Sequence, residues 1–245
     1  MPAKYIYPLA LVVGLVLFTA VGYFVFHERE KSVYTPQPKI TYISPYVDIS
    51  PYDKHFREAA DTLGWDWKFL AAIAFTESRF DSTAVSGAGA CGVMQVMPAT
   101  LRGMGVPDSL HMETSYNIKA AAELLKSLDK LYHRIPDFEE RSNFILASYN
   151  AGSGHIGDAM NLAQKYGRPR YVWHQNVDSF LIFKSEPEYY TDSVCRNGSF
   201  NDWRQTLSFV KKVKRTWRRF SRLQSRYNDS INTLMLNDST IKIKE

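Results

Sequence analysis

Apolar positions along this chain recur mostly at helical spacing, and the longest uncharged run lies near its start. Tyr5 to Phe26 holds no charged residue. As a helix rising 1.5 Å per residue it would reach roughly 33 Å, enough for the hydrocarbon core of a bilayer. An N-terminal transmembrane helix is therefore expected. A cleaved signal peptide is the rival reading, but that would have an apolar region of about 7 to 15 residues with small residues at −3 and −1 of the cut. Phe18 sits at the −3 position of Ala20. Lys4 and the amino terminus precede the run, whereas His27-Glu28-Arg29-Glu30-Lys31 nearly cancels. That bias favours a cytoplasmic N-terminus, with the bulk of the chain beyond the membrane.

Four prolines between Ser32 and Pro51 and little periodicity read as an extended linker. From Tyr52 the pattern is helical. Leu70, Ile73, Ala74 and Glu77 lie at i, i+3, i+4 and i+7, behind Asp66 as a plausible N-cap. Ser115 is placed to cap a second helix, whose Ile118, Ala121, Ala122, Leu125, Leu128 and Tyr132 share a face. Val213, Trp217, Phe220 and Leu223 form one stripe of a late helix. Strand-like alternation is almost confined to the final IKIKE. The expected fold class is all-α, divided into an anchor (1–31), a linker (32–51), a main domain (52–226) and a polar tail (227–245) for which disorder is an open alternative.

Charge and cysteine usage narrow the function classes. The net charge is +5, yet Lys211 to Arg226 contributes eight cations and no acid, so the remainder is net negative. A nucleic-acid partner would have to rest on that segment alone, and none is expected; a solvated face or attraction to anionic wall or lipid suits it better. Cys91 and Cys195 lack the spacing of a zinc site, so no metal or other cofactor is expected. An oxidising compartment would permit a bridge between them, but sequence does not fix their separation. None of the six histidines has a paired ligand spacing, and none is assigned a role.

Glu77 puts a carboxylate on a core-facing stripe, where desolvation favours the neutral, proton-donating form. The same helix would equally hold a structural carboxylate paired with an arginine or capping a neighbouring helix, and the flanking segments decide. Ser86 to Thr100 contains Gly87, Gly89 and Gly92 in a GxGxxG pattern, but helix and polar loop precede it where a dinucleotide site needs a strand. It reads instead as a glycine-rich loop that lets backbone approach a ligand, delivering Met94 and Gln95 ahead of a helix begun by Pro98. Gln95 offers both a donor and an acceptor to a polar substrate. Ala147 to Gly154 ends another helix in Asn150 and Gly152.

Taken together, ESRF (Glu77 to Phe80), GVMQ (Gly92 to Gln95) and ASYNAG (Ala147 to Gly152) resemble the three signature segments of the lytic transglycosylase catalytic domain of the soluble type. The resemblance covers about Tyr52 to Phe220 and lies nearest the catalytic half of the membrane-bound murein sub-family F, without its solute-binding half. It implies a goose-lysozyme-like helical fold and cleavage of the β-1,4 bond from N-acetylmuramic acid to N-acetylglucosamine in peptidoglycan glycan strands, leaving a 1,6-anhydro end. By the same resemblance Glu77 is the single catalytic acid/base. Ser86, Met94 and Gln95 hold the sugar, and Tyr149 and Asn150 brace the glutamate and its substrate. A fourth segment departs from the family's Glu-Thr-x-x-Tyr-Val, since Gln205 and Phe209 stand where the glutamate and tyrosine would be.

One carboxyl suffices for this chemistry. Most glycosidases need two, an acid and a nucleophile or base. Here the substrate's 2-acetamido oxygen would stabilise the developing cation, and its own 6-hydroxyl would replace water, with Glu77 first giving and then taking the proton. Asp81, the nearest second carboxylate, reads as a loop cap. A goose-type muramidase and a non-catalytic wall-binding module remain the alternatives.

Overall fold

The computed structural model describes residues 39–244, with Leu17, Thr19 and Tyr23 before them. Its elements are β1 (Thr41–Ile43), α1 (Asp53–Asp61), α2 (Trp67–Ser78), α3 (Pro98–Gly103), α4 (Thr114–Leu131), α5 (Phe138–Ala151), α6 (Ser153–Lys165), α7 (Asp178–Phe183), α8 (Pro187–Tyr190), α9 (Trp203–Asn237) and β2 (Ile241–Ile243). The expectation of a helical protein holds, with one small exception. β1 and β2 form a parallel pair in the register Thr41↔Ile241, Tyr42↔Lys242, Ile43↔Ile243.

α2 is the axis of the domain. Phe69 to Ala74 are all fully buried, so this helix is enclosed on every side, as its uniformly apolar sequence requires. α1 and α9 lie against it. At its N-terminus Asp66 is the predicted cap and accepts from the Lys68 amide at 3.1 Å. Its other oxygen accepts from Trp217 Nε1 of α9 at 2.8 Å, tying the two helices where Trp65, Phe69, Phe138 and Trp217 pack edge to face.

Several expectations need correction. α4 starts at Thr114 with Glu113 in the N-cap position and no side-chain cap, so Ser115 lies inside the first turn. Leu223 is 41% exposed, beyond the end of the buried stripe of Val213 and Phe220. The polar tail is ordered: α9 continues to Asn237 and buries Ile231. The reason is that the linker's second half packs on it. Val47 donates to Gln224 Oε1 at 3.1 Å, Gln224 Nε2 donates to Pro45 O at 2.9 Å, and Tyr227 donates to Ser44 O at 3.0 Å. Residues 39–51 are thus held against α9 and closed by the Asp53 carboxylate, which accepts from the Ile49 and Ser50 amides.

Cys91 and Cys195 are both free thiols. Cys91 is buried under the glycine loop with Sγ toward Val96 O and His111 O, whereas Cys195 points at Tyr189 O across a different loop. Burial raises both thiol pKa values, which leaves them poor nucleophiles. The span Tyr5–Phe26 lies, apart from three residues, outside the described residues, and among the described residues no helix is long and apolar enough to cross a membrane.

Candidate active site

The site is built where α2 stops. Arg79 and Phe80 both adopt left-handed backbone, at φ 57° and 68°. Two successive non-glycine residues there cost about 1–2 kcal/mol each, so packing must over-determine them. Phe80 is held among Phe56, Phe75 and Phe220, at ring separations of 6.1, 5.6 and 6.4 Å. Ser78 Oγ meanwhile lies 2.8 Å from Val93 O and stitches the helix to the glycine loop. The result is an abrupt end that leaves Glu77 half-buried on the last turn. Among the described residues no hydrogen bond or ion pair reaches its carboxyl, so the arginine-paired alternative has no partner here. Desolvation pushes its pKa up to about 8, which keeps a proton on it at neutral pH.

The glycine loop is a small knot of antiparallel bridges, Val85 with Cys91 and Cys91 with Val96. Gly92 has φ +76°, and a Cβ there would stand 2.6 Å from the Asn117 side chain. Only glycine fits. Asn117 is fully buried on α4, accepts from the Met94 amide at 2.8 Å, and donates to Cys91 O and His111 O at 3.0 and 3.2 Å. One side-chain amide therefore fixes the whole turn. Sequence reasoning passed over it. Its only signal was a polar residue at the edge of the α4 stripe.

The loop residues are used differently from the sequence expectation. Met94 is 0% exposed, so its side chain is part of the core and cannot line a cleft; its carbonyl instead accepts from the Tyr149 hydroxyl at 2.8 Å. Gln95, itself at φ 51°, spends its amide hydrogens on Ala84 O and Gly92 O, both at 3.0 Å. Only Oε1 is left for a ligand. Ser86 is half-buried and its Oγ accepts from the Ala90 amide at 2.9 Å, which leaves the hydroxyl proton to give.

α5 brings the third segment to the same place. The Tyr149 phenol is held well above its ordinary pKa by burial and then by the negative charge Glu77 would carry, so the two groups are electrostatic neighbours. Tyr149 also stacks on Phe209 of α9, with centroids 6.5 Å apart and planes within 8°. Asn150 Oδ1 accepts from Thr206 Oγ1 at 2.8 Å, and Thr206 is fully buried. The departing fourth segment thus supplies a ring and a hydroxyl as braces. Gln205 is exposed beside Asn150, on the wall of a polar cavity of about 380 Å³. Asp81 lies outside this constellation: bonds from Thr83, side chain and backbone, hold its exposed carboxyl below the usual range, as a loop cap should.

The basic helix is partly structural. Lys214 and Arg218 both bind the Glu139 carboxylate, at 3.0 and 2.6 Å, and join α9 to α5. Among the described residues no group of acidic, cysteine or histidine side chains has the makings of a metal site.

The family described as "Transglycosylase SLT domain" matches residues 54–172. This chain carries a lytic transglycosylase domain of the SLT family. Glu77, Ser86, Met94, Gln95, Tyr149 and Asn150 all fall inside the SLT match, and α9 falls outside it. A relative from Maricaulis maris, "Membrane-bound lytic murein transglycosylase F", is 38% identical over 166 residues, 66% of this chain and 34% of that protein. The protein of the same name from Desulfosudis oleivorans is 36% identical over 172 residues, 69% of this chain and 33% of that protein. The chain therefore spans about a third of the length of these curated relatives. Among solved structures, the 70 kDa soluble lytic transglycosylase from Escherichia coli aligns with a TM-score of 0.48 at 20% identity, covering 70% of this chain and 24% of that one.

Proposed function

We propose that this protein is a membrane-anchored peptidoglycan lytic transglycosylase with a goose-lysozyme-like catalytic domain. It cleaves the N-acetylmuramic acid β-1,4 N-acetylglucosamine bond without water and leaves a 1,6-anhydro end. The observation that carries the reading is Glu77, a half-buried carboxyl without a protein partner among the described residues, protonated at neutral pH and set against Tyr149. Such a group is poised as a general acid. It protonates the glycosidic oxygen as the C1–O bond breaks, while the 2-acetamido oxygen of the muramic sugar stabilises C1. The 6-hydroxyl then attacks C1 and returns its proton to the Glu77 carboxylate, so the residue ends as it began. Tyr149, locked to Met94 O and stacked on Phe209, fixes the wall beside the acid, and Asn150, Ser86 and Gln95 Oε1 hold the sugar. Tyr5 to Phe26 is the anchor and the domain faces the periplasm.

The test is to incubate full-length protein with peptidoglycan sacculi and weigh the released fragments. Products lighter than hydrolysed ones by one water are expected. Hydrolysed ends would make the protein a muramidase, and no release at all would make it a wall-binding module. Mature protein lacking the first 26 residues and free of membranes would overturn the anchor.

A further inference from the structure

Thr206, Phe209, Val213 and Phe220 form the buried side of α9. At 3.6 residues per turn the opposite side carries Lys211, Arg215, Arg218 and Arg222, spaced i, i+4, i+7 and i+11, and all four are exposed. A groove of about 570 Å³ runs beside this ridge, lined by the same four cations, Lys214 and the apolar Trp173, Leu207 and Val210. The acids facing them are few. Asp178, 3.5 Å from His174, lies in the groove wall. Lys214 and Arg218 share Glu139, whereas Lys211, Arg215 and Arg222 have no ion pair among the described residues. Successive members of the ridge stand at i,i+4 or i,i+3, where like charges destabilise a helix unless an external anion offsets them. Three guanidinium groups in a row suit phosphate, which they bind through paired N–H donors.

The far end of the helix narrows the kind of phosphate. Seven-residue steps from Arg215 through Arg222 lead to Asp229, the one acid on this line, and then to Leu236, which is 87% exposed. Beyond Asp238 the chain turns into the β1–β2 pair, which exposes Tyr42 at 61%, with Ile40 and Ile243 also exposed. Apolar side chains gathered at one tip mark an interaction surface. The same tip is where the N-terminal segment arrives, since Thr41 pairs with Ile241. From Phe26, the last residue of the uncharged run, 13 residues lead to Lys39, a reach of at most about 45 Å. Arg215 to Leu236 spans roughly 32 Å of helix. A bilayer holding Tyr5 to Phe26 thus lies within one tether length of the tip, close enough for α9 to lie down on it.

We propose that this face of α9 docks on the anionic phospholipid surface of the bilayer that anchors the chain, with Lys211, Arg215, Arg218 and Arg222 on lipid phosphates and Leu236 and Tyr42 at the headgroup boundary. Cations that attract and an apolar tip that inserts are the two signals that stable attachment to a membrane surface takes. The anchor belongs to the reading proposed above; the ridge and its tip stand without it. Thr206 and Phe209 brace the active site from the opposite side of α9, so docking leaves that site turned away from the lipid.

Docking is measured on full-length protein mixed from detergent with vesicles of phosphatidylcholine, with or without about 30% phosphatidylglycerol. The signal is the emission of an environment-sensitive dye on Leu236→Cys, and protein without that substitution, taken through the same labelling, gives the background from Cys91 and Cys195. With phosphatidylglycerol the emission is expected to shift to the blue and rise at least about twofold. It should return to the phosphatidylcholine value at about 1 M salt, where the screening length is about 3 Å; this readout needs no ridge variant. Lys211→Glu, Arg215→Glu and Arg222→Glu together should abolish the rise, because each cation near an anionic surface is worth roughly fivefold, about 100-fold for three. Lys214 and Arg218 are left in place because they join α9 to α5. Arg215→Lys with Arg222→Lys should dock as wild type does, and circular dichroism of the glutamate variant should be unchanged. Equal emission in the two vesicles, a rise insensitive to salt, or a rise retained in the folded glutamate variant overturns the proposal. Loss of sacculus binding in that variant without any lipid effect would also overturn it and assign the ridge to the wall. Flotation separates the two readings. Protein that floats with both vesicles at equal emission is anchored and undocked; protein that floats only with phosphatidylglycerol, and not as the glutamate variant, docks without an anchor.

Discussion

The two ends of α2 each carry a carboxylate, and they are treated in opposite ways. Asp66 at the N-terminus is saturated: it accepts from the Lys68 amide, pairs with Lys68 Nζ at 2.6 Å and takes the Trp217 indole hydrogen. Glu77 at the C-terminus has none of this among the described residues, and the helix stops beside it in two left-handed residues. One end converts its charge into cohesion between α2 and α9. The other withholds partners, so burial alone sets its protonation. A single helix thus separates stability from reactivity by about 11 residues, roughly 16 Å of rise. Polar satisfaction, not burial as such, distinguishes the structural acid from the reactive one.

The largest test of this contrast is Glu77→Gln. Glutamine keeps the shape and has no proton to transfer, so release of anhydro fragments from sacculi should fall by about 10²–10⁴-fold, toward the upper end because no second carboxylate is at hand. Circular dichroism should be unchanged. Undiminished release would place the acid elsewhere and dissolve the comparison. The wild-type rate should also fall as pH rises through about 8, when Glu77 loses its proton.

Gly92→Ala comes next. The new methyl would need φ +76° and would meet Asn117 at 2.6 Å, in the interior, where the Asn117 amide holds three backbone groups. A destabilisation of about 2–4 kcal/mol is expected, read from a urea midpoint, with activity lost in the fraction that still folds because the Met94 carbonyl no longer meets Tyr149. A variant of wild-type stability and activity would show that the loop is not what positions the site.

Asp66→Ala probes the opposite end. Losing a cap and a buried bond to indole should cost about 1–3 kcal/mol, with kcat on sacculi unchanged at 25 °C. Loss of turnover in still-folded protein would mean that the two ends are coupled after all.

What the sequence disclosed follows from what periodicity and punctuation can encode. The Asp66 cap, the Pro98 start and Gly152 at the end of α5 are local features, and they stand where the pattern put them, whereas α2 is buried on all its faces and not along one stripe alone. Met94 was misread because spacing cannot tell a side chain from its carbonyl. Gln95 was misread because its donors are consumed by Ala84 and Gly92, a fold-back visible only in three dimensions. Asn117 and Thr206 act across 23 and 56 positions of chain. The order of residues 227–244 depends on the linker returning to α9, a contact over 177 positions that no local propensity announces.

The smallest expected effect concerns stability and follows from the same carboxyl. Its folded pKa of about 8 lies above the ordinary value of 4.5, because burial penalises the ionised form. Such a group contributes fully to stability below pH 4.5, and that contribution is lost progressively as pH rises toward 8. In that window the unfolded chain releases a proton that the folded chain keeps. Glu77→Gln removes the titration. Its melting temperature should therefore match wild type near pH 4, exceed it by a growing margin up to about pH 8, and hold a constant margin above. For a domain of this size each 1 kcal/mol is worth about 2–4 °C, and a half-buried carboxylate that can relax toward solvent should give at least about 2 °C. Asp66→Asn provides the control, since its bonds already satisfy the charge and removing it should lower the melting temperature instead. A margin for Glu77→Gln that is flat across pH 4 to 9 would mean that Glu77 ionises normally in the folded protein. The difference between the two ends of α2 would then be one of position and not of protonation.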